Sequence, residues 1–314
     1  MSISTYPFMS SRFEALQSLS DAIVGVAEKV SPSVVRVSAG RRSFGSGVVW
    51  NRDGHIVTNY HVVGSGRGVE VGTSSGTALG AKVVGADPYT DLALLKVDAD
   101  GENLHAIELG DSDRLRVGEF VLALANPFGE EPAVVSGIVT SPRKDIDGWY
   151  GKFMENMIIS DAPVNPGYSG GPLVVANGSM VGINTAYANS RALSIPTNTV
   201  KQVIERLSRY GRIRTGYLGV VLNAVRLPNE MVEKLDQRFG LMVLSVSRNT
   251  PAGEAGLAMG DVILRFDEKA VESHYQLKKF LSEDVIGKHV KISVLRGNRI
   301  FDVAVTPADE EDAH

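Results

Sequence analysis

Between residues 33 and 195 the chain runs in short blocks of Val, Ile and Leu broken by Gly, Asn, Asp and Pro. The blocks at 33–38, 47–50, 55–63, 92–97, 120–125, 134–139, 157–160, 172–175 and 180–185 are of strand length, and Asn51-Arg52-Asp53-Gly54 and Asn177-Gly178 suit tight hairpins between them. Many strands without intervening helices predict an antiparallel barrel or sandwich, here one large sheet system or two small barrels. Helices flank the array. Residues 13–30 carry Leu16, Leu19, Ile23, Val26 and Val30 at near-helical spacing, and the run ends before Ser31-Pro32. After Pro196, Thr197 or Asn198 can cap a second helix with the apolar face Val200, Val203, Ile204 and Leu207. Residues 211–216 then read as a linker. Beyond it, strands at 241–246, 262–266, 290–296 and 301–306 mix with helical patches at 229–238 and 274–281, which predicts a separate α+β module.

The bulk composition narrows the function classes. With 314 residues there is room for two domains, and 43% hydrophobic with 22% charged residues is ordinary for a globular protein. A net charge of −4 offers no broad basic field, so nucleic acid is not an expected partner. The chain has no cysteine, which excludes disulfides, thiol catalysis and thiolate metal sites. Apolar runs such as 22–27 fall far short of the roughly 20 residues that span a bilayer. The first residues show no secretory signal, so the expectation is cytoplasmic as written, or periplasm or cell envelope if an export segment has been trimmed. Asp309-Glu310-Glu311-Asp312 reads as a solvated tail.

The chemistry concentrates in Gly167-Tyr168-Ser169-Gly170-Gly171-Pro172. A serine hydroxyl needs a base to become a nucleophile, and acyl transfer puts negative charge on an oxygen that needs aimed donors. Glycines let the backbone turn sharply, so the N–H groups of Gly167 and Ser169 are the expected oxyanion donors. Taken alone, the segment is equally a hairpin turn. Of six histidines, His61 is the candidate base, because it ends the run Ile56-Val57-Thr58-Asn59-Tyr60 and opens Val62-Val63 at a barrel rim. A carboxylate must then fix the imidazole tautomer. Asp91, just before Leu92-Ala93-Leu94-Leu95, fits that role, whereas Asp87 beside Pro88 reads as a turn residue. No pair of histidines has metal-ligand spacing, so no metal is expected.

The order His61, Asp91, Ser169 inside an all-β region is that of chymotrypsin. Residues 31–208 resemble the trypsin-like protease domain of the HtrA (Deg) family, and 215–307 resemble that family's PDZ domain. The carrying motifs are Ser46-Gly47-Val48-Val49, Thr58-Asn59-Tyr60-His61-Val62-Val63, Thr90-Asp91-Leu92-Ala93-Leu94-Leu95-Lys96, Leu109-Gly110-Asp111-Ser112, Asn126-Pro127-Phe128-Gly129, Ser136-Gly137-Ile138-Val139 and residues 161–172. The resemblance implies two six-stranded barrels with the catalytic site between them, followed by an α+β PDZ domain. The residues outside it are read as an N-terminal segment and helix at 1–30 and an acidic tail at 308–314. It also implies trimers, with Tyr6, Phe8 and Phe13 as stapling aromatics, and turnover of damaged or unfolded proteins without ATP. No Gly-x-x-x-x-Gly-Lys-Ser/Thr phosphate loop is present, and no cofactor is expected. Two positions depart from the family: Tyr168 where Asn is usual, and Ala125 where Gly is common.

By the same resemblance Pro163 floors the primary specificity pocket and Leu193 and Ser194 line its walls, so cleavage is expected after small or medium aliphatic residues. Residues 141–156, with Trp149, Tyr150 and Phe153, would form a sensor loop, and the loop after Arg41 is short. Tyr217-Leu218-Gly219-Val220 resembles the carboxylate-binding loop of PDZ domains, supported by Gly256-Leu257-Ala258-Met259-Gly260-Asp261-Val262-Ile263 downstream. Peptides ending in apolar residues are the expected ligands there. A reading from another class is a holdase that grips clients in the PDZ groove and cleft without cutting them.

Overall fold

Inward-facing Val, Ile and Leu at alternate positions close the first strands into a barrel. The computed structural model describes residues 7–40, 43–64, 66–129, 132–149, 152–188 and 191–310. The chain divides into two compact units, Met1–Arg212 and Ile213–His314. Helix α1 (Pro7–Val30) starts earlier than the periodicity predicts, and Phe13, Leu16 and Leu19 are exposed on it.

Six strands form the first closed barrel: β1 (Val34–Ala39), β2 (Ser43–Val49), β3 (His55–Asn59), β4 (Val69–Gly72), β5 (Ala78–Asp87) and β6 (Leu92–Val97), in spatial order β1-β2-β3-β6-β5-β4. Val35, Val37, Val49, Ile56, Val71, Ala93 and Leu95 fill it. The apolar run at 55–63 does not stay extended. It breaks at Asn59 into the single helical turn α2 (Tyr60–Val63), whose Val62 and Val63 are buried. Strands β4 and β5 have no counterpart among the predicted blocks.

The second barrel uses β7 (Phe120–Ala125), β8 (Ala133–Trp149), β9 (Lys152–Ser160), β10 (Pro172–Val175), β11 (Met180–Ala188) and β12 (Arg191–Pro196), in order β10-β11-β12-β9-β8-β7. Its core includes Val121, Ala123, Val139, Ile158, Leu173 and Val181. Residues 141–149 and 152–156 are the two sides of a β-hairpin arm rather than a loop, because β8 and β9 keep pairing through successive register shifts out to Trp149↔Lys152. The side chains of Trp149 and Phe153, and Tyr150 as a whole, lie outside the described residues.

Helix α3 (Thr197–Tyr210) buries Val200, Val203, Ile204 and Leu207, as the spacing predicts. Neither predicted cap forms. Thr197 Oγ1 donates to Met180 O at 2.9 Å and Asn198 Nδ2 to Asp111 Oδ1 at 2.8 Å, so both side chains tie the helix to the barrel instead. Gly211, with φ +72°, ends it in the left-handed conformation that glycine tolerates.

The second unit contains β13 (Gly216–Tyr217), β14 (Val220–Arg226), α4 (Asn229–Leu235), β15 (Phe239–Val246), α5 (Pro251–Glu254), β16 (Val262–Phe266), β17 (Lys269–Ala270), α6 (His274–Phe280), β18 (Val290–Arg296), β19 (Arg299–Val305) and β20 (Ala308–Asp309). The main sheet runs β14-β15-β16-β18-β19, which leaves β14 at an edge. Leu241, Val243, Ile263, Phe266, Leu277 and Ile292 are in its core. Asp309 departs from the solvated-tail expectation: Ala308–Asp309 pairs with Gly216–Tyr217, and the Asp309 carboxylate is buried 2.7 Å from Arg214 Nε. Residues 311–314 lie outside the described residues.

Candidate active site

The first barrel carries the candidate base and its candidate orienting acid. Asn59 ends β3, and the α2 turn it opens presents His61 toward solvent while its buried valines hold it down. Asp91 opens β6 with φ +59°, a left-handed conformation that is costly for a residue with a Cβ. Four donors from its own barrel hold it there. Its carbonyl accepts from Tyr60 N at 3.0 Å and Asn59 Nδ2 at 2.9 Å. Its Oδ1 accepts from His61 N at 3.0 Å, and its Oδ2 lies 2.7 Å from His61 Nδ1. A carboxylate only accepts, so the proton sits on Nδ1 and the Nε2 lone pair is free to act as a base. Asp87 instead closes the β5–β6 turn, accepting from Tyr89 N, Thr90 N and Thr90 Oγ1.

The second barrel carries the candidate nucleophile, Ser169, on the segment between β9 and β10. Its glycines are needed for close approach. A Cβ on Gly170 would lie 2.0 Å from Ser46 O, and one on Gly171 would lie 2.1 Å from Leu124 O. Gly170 N donates to Asn184 O at 2.8 Å and Asn184 N to Gly171 O at 2.9 Å, which locks the segment to β11. Gly167, at φ +100°, packs against Pro127. Among the described residues, the N–H groups of Gly167 and Ser169 have no protein acceptor. Two unengaged donors beside a hydroxyl are the arrangement an oxyanion requires. Tyr168 is 6% exposed in the core of this barrel, and burial pushes its hydroxyl above the ordinary tyrosine value.

His61, Asp91 and Ser169 line one cleft of about 690 Å³. The Ser169 hydroxyl does not point to the imidazole. It donates to Thr185 O at 3.1 Å. Thr185 also donates through Oγ1 to Asp91 Oδ2 at 2.5 Å, so one β11 residue touches both barrels' contributions. Sequence reasoning missed it. The available signal was a polar pair, Asn184-Thr185, inside an apolar strand. Pro163, Val164, Pro166, Met154 and Ala186 give the cleft an apolar lining. Leu193 and Ser194 are not on that lining. Both are buried on β12, where Ser194 Oγ donates to Asn184 Oδ1 at 2.9 Å behind the wall.

In the second unit, Leu218 O accepts from Ala252 N and Gly219 O from Ser247 N, each at 2.9 Å. The N–H groups of Leu218 and Gly219 have no acceptor among the described residues. Gly219 has φ +82°, and a Cβ there would meet Thr250 at 2.3 Å. Val220 starts the edge strand β14, and His274 Nε2, at the start of α6, donates to Leu222 O at 3.0 Å. Carbonyls that are engaged and N–H groups that are not, beside a strand at the sheet edge, are the kind of arrangement that can take a carboxylate.

Two stretches match family models: residues 45–183 match a trypsin-like peptidase domain and residues 216–306 a PDZ domain. Over 278 residues the chain is 36% identical to a probable periplasmic serine endoprotease DegP-like of Rickettsia prowazekii (strain Madrid E), covering 85% of this chain and 54% of that protein. It is also 36% identical over 286 residues to Protease Do-like 1, chloroplastic, of Arabidopsis thaliana, covering 85% and 64%. Against these two curated relatives the chain thus spans 54% and 64% of their length. Among solved structures, the HtrA-type protease AlgW with decapeptide superposes with a TM-score of 0.76 at 29% identity, covering 91% of this chain and 98% of that one. The serine endoprotease from Yersinia pestis gives a TM-score of 0.72 at 31% identity, covering 90% and 96%.

Proposed function

The chain belongs to the HtrA family of trypsin-like serine proteases with one PDZ domain, and from that premise we propose that it is an ATP-independent serine endopeptidase of unfolded or damaged polypeptides. The observation that carries the reading is the 2.7 Å contact between His61 Nδ1 and Asp91 Oδ2 in the cleft that also holds Ser169.

In this reading a rotation about the Ser169 Cα–Cβ bond takes the hydroxyl from Thr185 O to His61 Nε2. Nε2 accepts the proton as Oγ attacks the scissile carbonyl carbon. The carbonyl oxygen becomes an oxyanion held by the N–H groups of Gly167 and Ser169. Nε2 then protonates the leaving amine, and water releases the acyl group by the same steps with Ser169 as leaving group. Asp91 keeps the imidazole in the productive tautomer throughout. The apolar lining around Pro163 and Ala186 favours cleavage after small or medium aliphatic residues. Ser194 acts on that pocket from behind through Asn184, and Leu193 through its strand pairing with Ala186.

The loop 217–220 takes the carboxylate of a peptide ending in an apolar residue, the peptide adds a strand beside β14, and occupancy tunes the protease. Displacement of the His274–Leu222 bond is part of that binding, because strand addition needs the Leu222 carbonyl. Assembly into a homotrimer uses the N-terminal aromatics. Phe13 is 65% exposed, whereas Tyr6 and the Phe8 side chain lie outside the described residues.

The test is labelling by a fluorophosphonate together with digestion of unfolded casein. Wild-type protein should label and cut, and Ser169→Ala should do neither. Casein bound but left whole, with no label on Ser169, would overturn the enzyme in favour of a holdase.

A further inference from the structure

Ser46 sits on β2, in the opposite barrel from the nucleophile, with no solvent exposure. Strand β2 pairs with β1 from Val34↔Val48 to Ala39↔Ser43, but with β3 only at Val48 and Val49. The second edge of its first half is therefore not used by β3. The nucleophile segment docks there. Ser46 N donates to Ser169 O at 2.8 Å, and Ser46 Oγ donates to Gly167 O at 2.7 Å. The same Oγ accepts from Asn126 N at 2.8 Å. Asn126 Oδ1 in turn accepts from Gly129 N at 2.8 Å, and Pro127 packs on Gly167. Thr58 Oγ1, beside Asn59 and His61, donates to Ser46 O at 2.7 Å.

We propose that Ser46 is a positioning residue for the reaction, registering the oxyanion donors of the second barrel against the His61–Asp91 pair of the first. The proposal rests on the reading of Ser169 as nucleophile. Its physical basis is that both residues expected to donate to the oxyanion are held, through their carbonyls, by one side chain and one N–H of Ser46. The carbonyl of Gly167 is turned toward barrel one, which keeps it from facing the reacting oxygen. The bond accepted from Asn126 stops the Ser46 hydroxyl from rotating away. With the hydroxyl gone, Gly167 O and Asn126 N lose their shared partner, and the donors lose their reference to the base. Substrate meets none of these atoms, so the loss falls on the transition state.

The experiment compares wild type, Ser46→Ala and Ser46→Cys by steady-state hydrolysis of a peptide, per active site titrated with fluorophosphonate. For Ser46→Ala, kcat should fall roughly 10²-fold, as for a misplaced oxyanion donor, with KM changed less than about twofold. Ser46→Cys should recover part of kcat. A peptidyl trifluoromethyl ketone supplies the second readout. Ser169 Oγ adds to its carbonyl carbon, the hydroxyl proton passes to His61 Nε2, and the new oxygen occupies the oxyanion site. Its affinity should fall in parallel with kcat, while uncut peptide binds the Ser169→Ala and Ser46→Ala/Ser169→Ala proteins alike. A merely structural serine would lower Tm without moving the ratio of the two affinities, and that result overturns the proposal. If the variants fail to fold, amide exchange of wild type decides: Asn126 N–H must be protected like the barrel strands, and fast exchange overturns it. Should wild type itself neither label nor cut, the protease reading fails rather than the role of Ser46.

Discussion

Replacing Thr185 with Val keeps the shape of the side chain and removes one donor from Asp91. The carboxylate then retains two donors, both from His61, and loses the Thr185 Oγ1 bond to Oδ2. A hydrogen bond to a charged group contributes about 1.5–3 kcal/mol. The Asp91 side chain is 17% exposed, so water can replace part of it, and the lower end applies. A loss of about 1.5 kcal/mol from the orientation of the dyad converts to roughly tenfold in kcat. The Thr185 carbonyl and the cleft wall are unchanged, so KM should stay within about twofold. Thr185→Ser keeps the hydroxyl and should retain most of the rate. The assay is peptide hydrolysis per titrated site, with thermal unfolding alongside. Unchanged kcat in Thr185→Val, or an equal loss in Thr185→Ser, would refute the claim that the hydroxyl acts through Asp91.

Gly171→Ala places a Cβ 2.1 Å from a backbone carbonyl that cannot yield, so Tm should fall and fluorophosphonate labelling should be lost. Gly219→Ala meets both a left-handed φ and Thr250; binding of a peptide with a free apolar C-terminus, read by fluorescence anisotropy, should weaken at least about tenfold, the equivalent of 1.4 kcal/mol of strain. Arg296→Met strands the Asp261 carboxylate, which is buried while its partner is half exposed, so the midpoint of urea unfolding at neutral pH should fall. Burial pushes the Asp261 carboxyl up, but Arg296 and the Ala258 N–H outweigh it and hold it below its ordinary value. That stabilisation is complete above the ordinary carboxylate range near pH 4 and fades as pH falls through the lowered folded value, so the gap between wild type and Arg296→Met should narrow in acid.

The three residues that share the cleft, His61, Asp91 and Ser169, were legible as candidates because they punctuate apolar runs. His61 interrupts a run that the fold breaks at Asn59, and Asp91 heads the uniformly apolar start of β6. Ser169 is flanked by glycines that close backbone approach requires. Strands β4 and β5 were not legible. Glu70, Ala78, Gly80 and Lys82 face solvent on alternate positions and give no apolar block, and the strands are extended because their neighbours pair with them. The hairpin arm at 141–156 hid for a related reason, since a strand with four register shifts keeps no clean period of two. Thr185 and Ser46 showed only as half of a polar pair and as one letter of a motif, because the roles proposed for them lie in long-range partners: Asp91 for one, Gly167 and Asn126 for the other. Asp309 was misread from local charge alone. Its fate depends on Arg214 at the far end of the module.

The hydrogen bond from Ser169 Oγ to Thr185 O has a consequence for any covalent measurement. In the mechanism proposed above one torsion carries that hydroxyl to His61 Nε2, with no cleavage of the chain, so the reactive rotamer is reached reversibly and its share is a population. The rate at which an electrophile captures Ser169 is then its intrinsic rate multiplied by the fraction of molecules in the turned-on rotamer. Probes of very different inherent reactivity should therefore report the same proportional gain when a regulator binds, because what changes is how often the nucleophile is available.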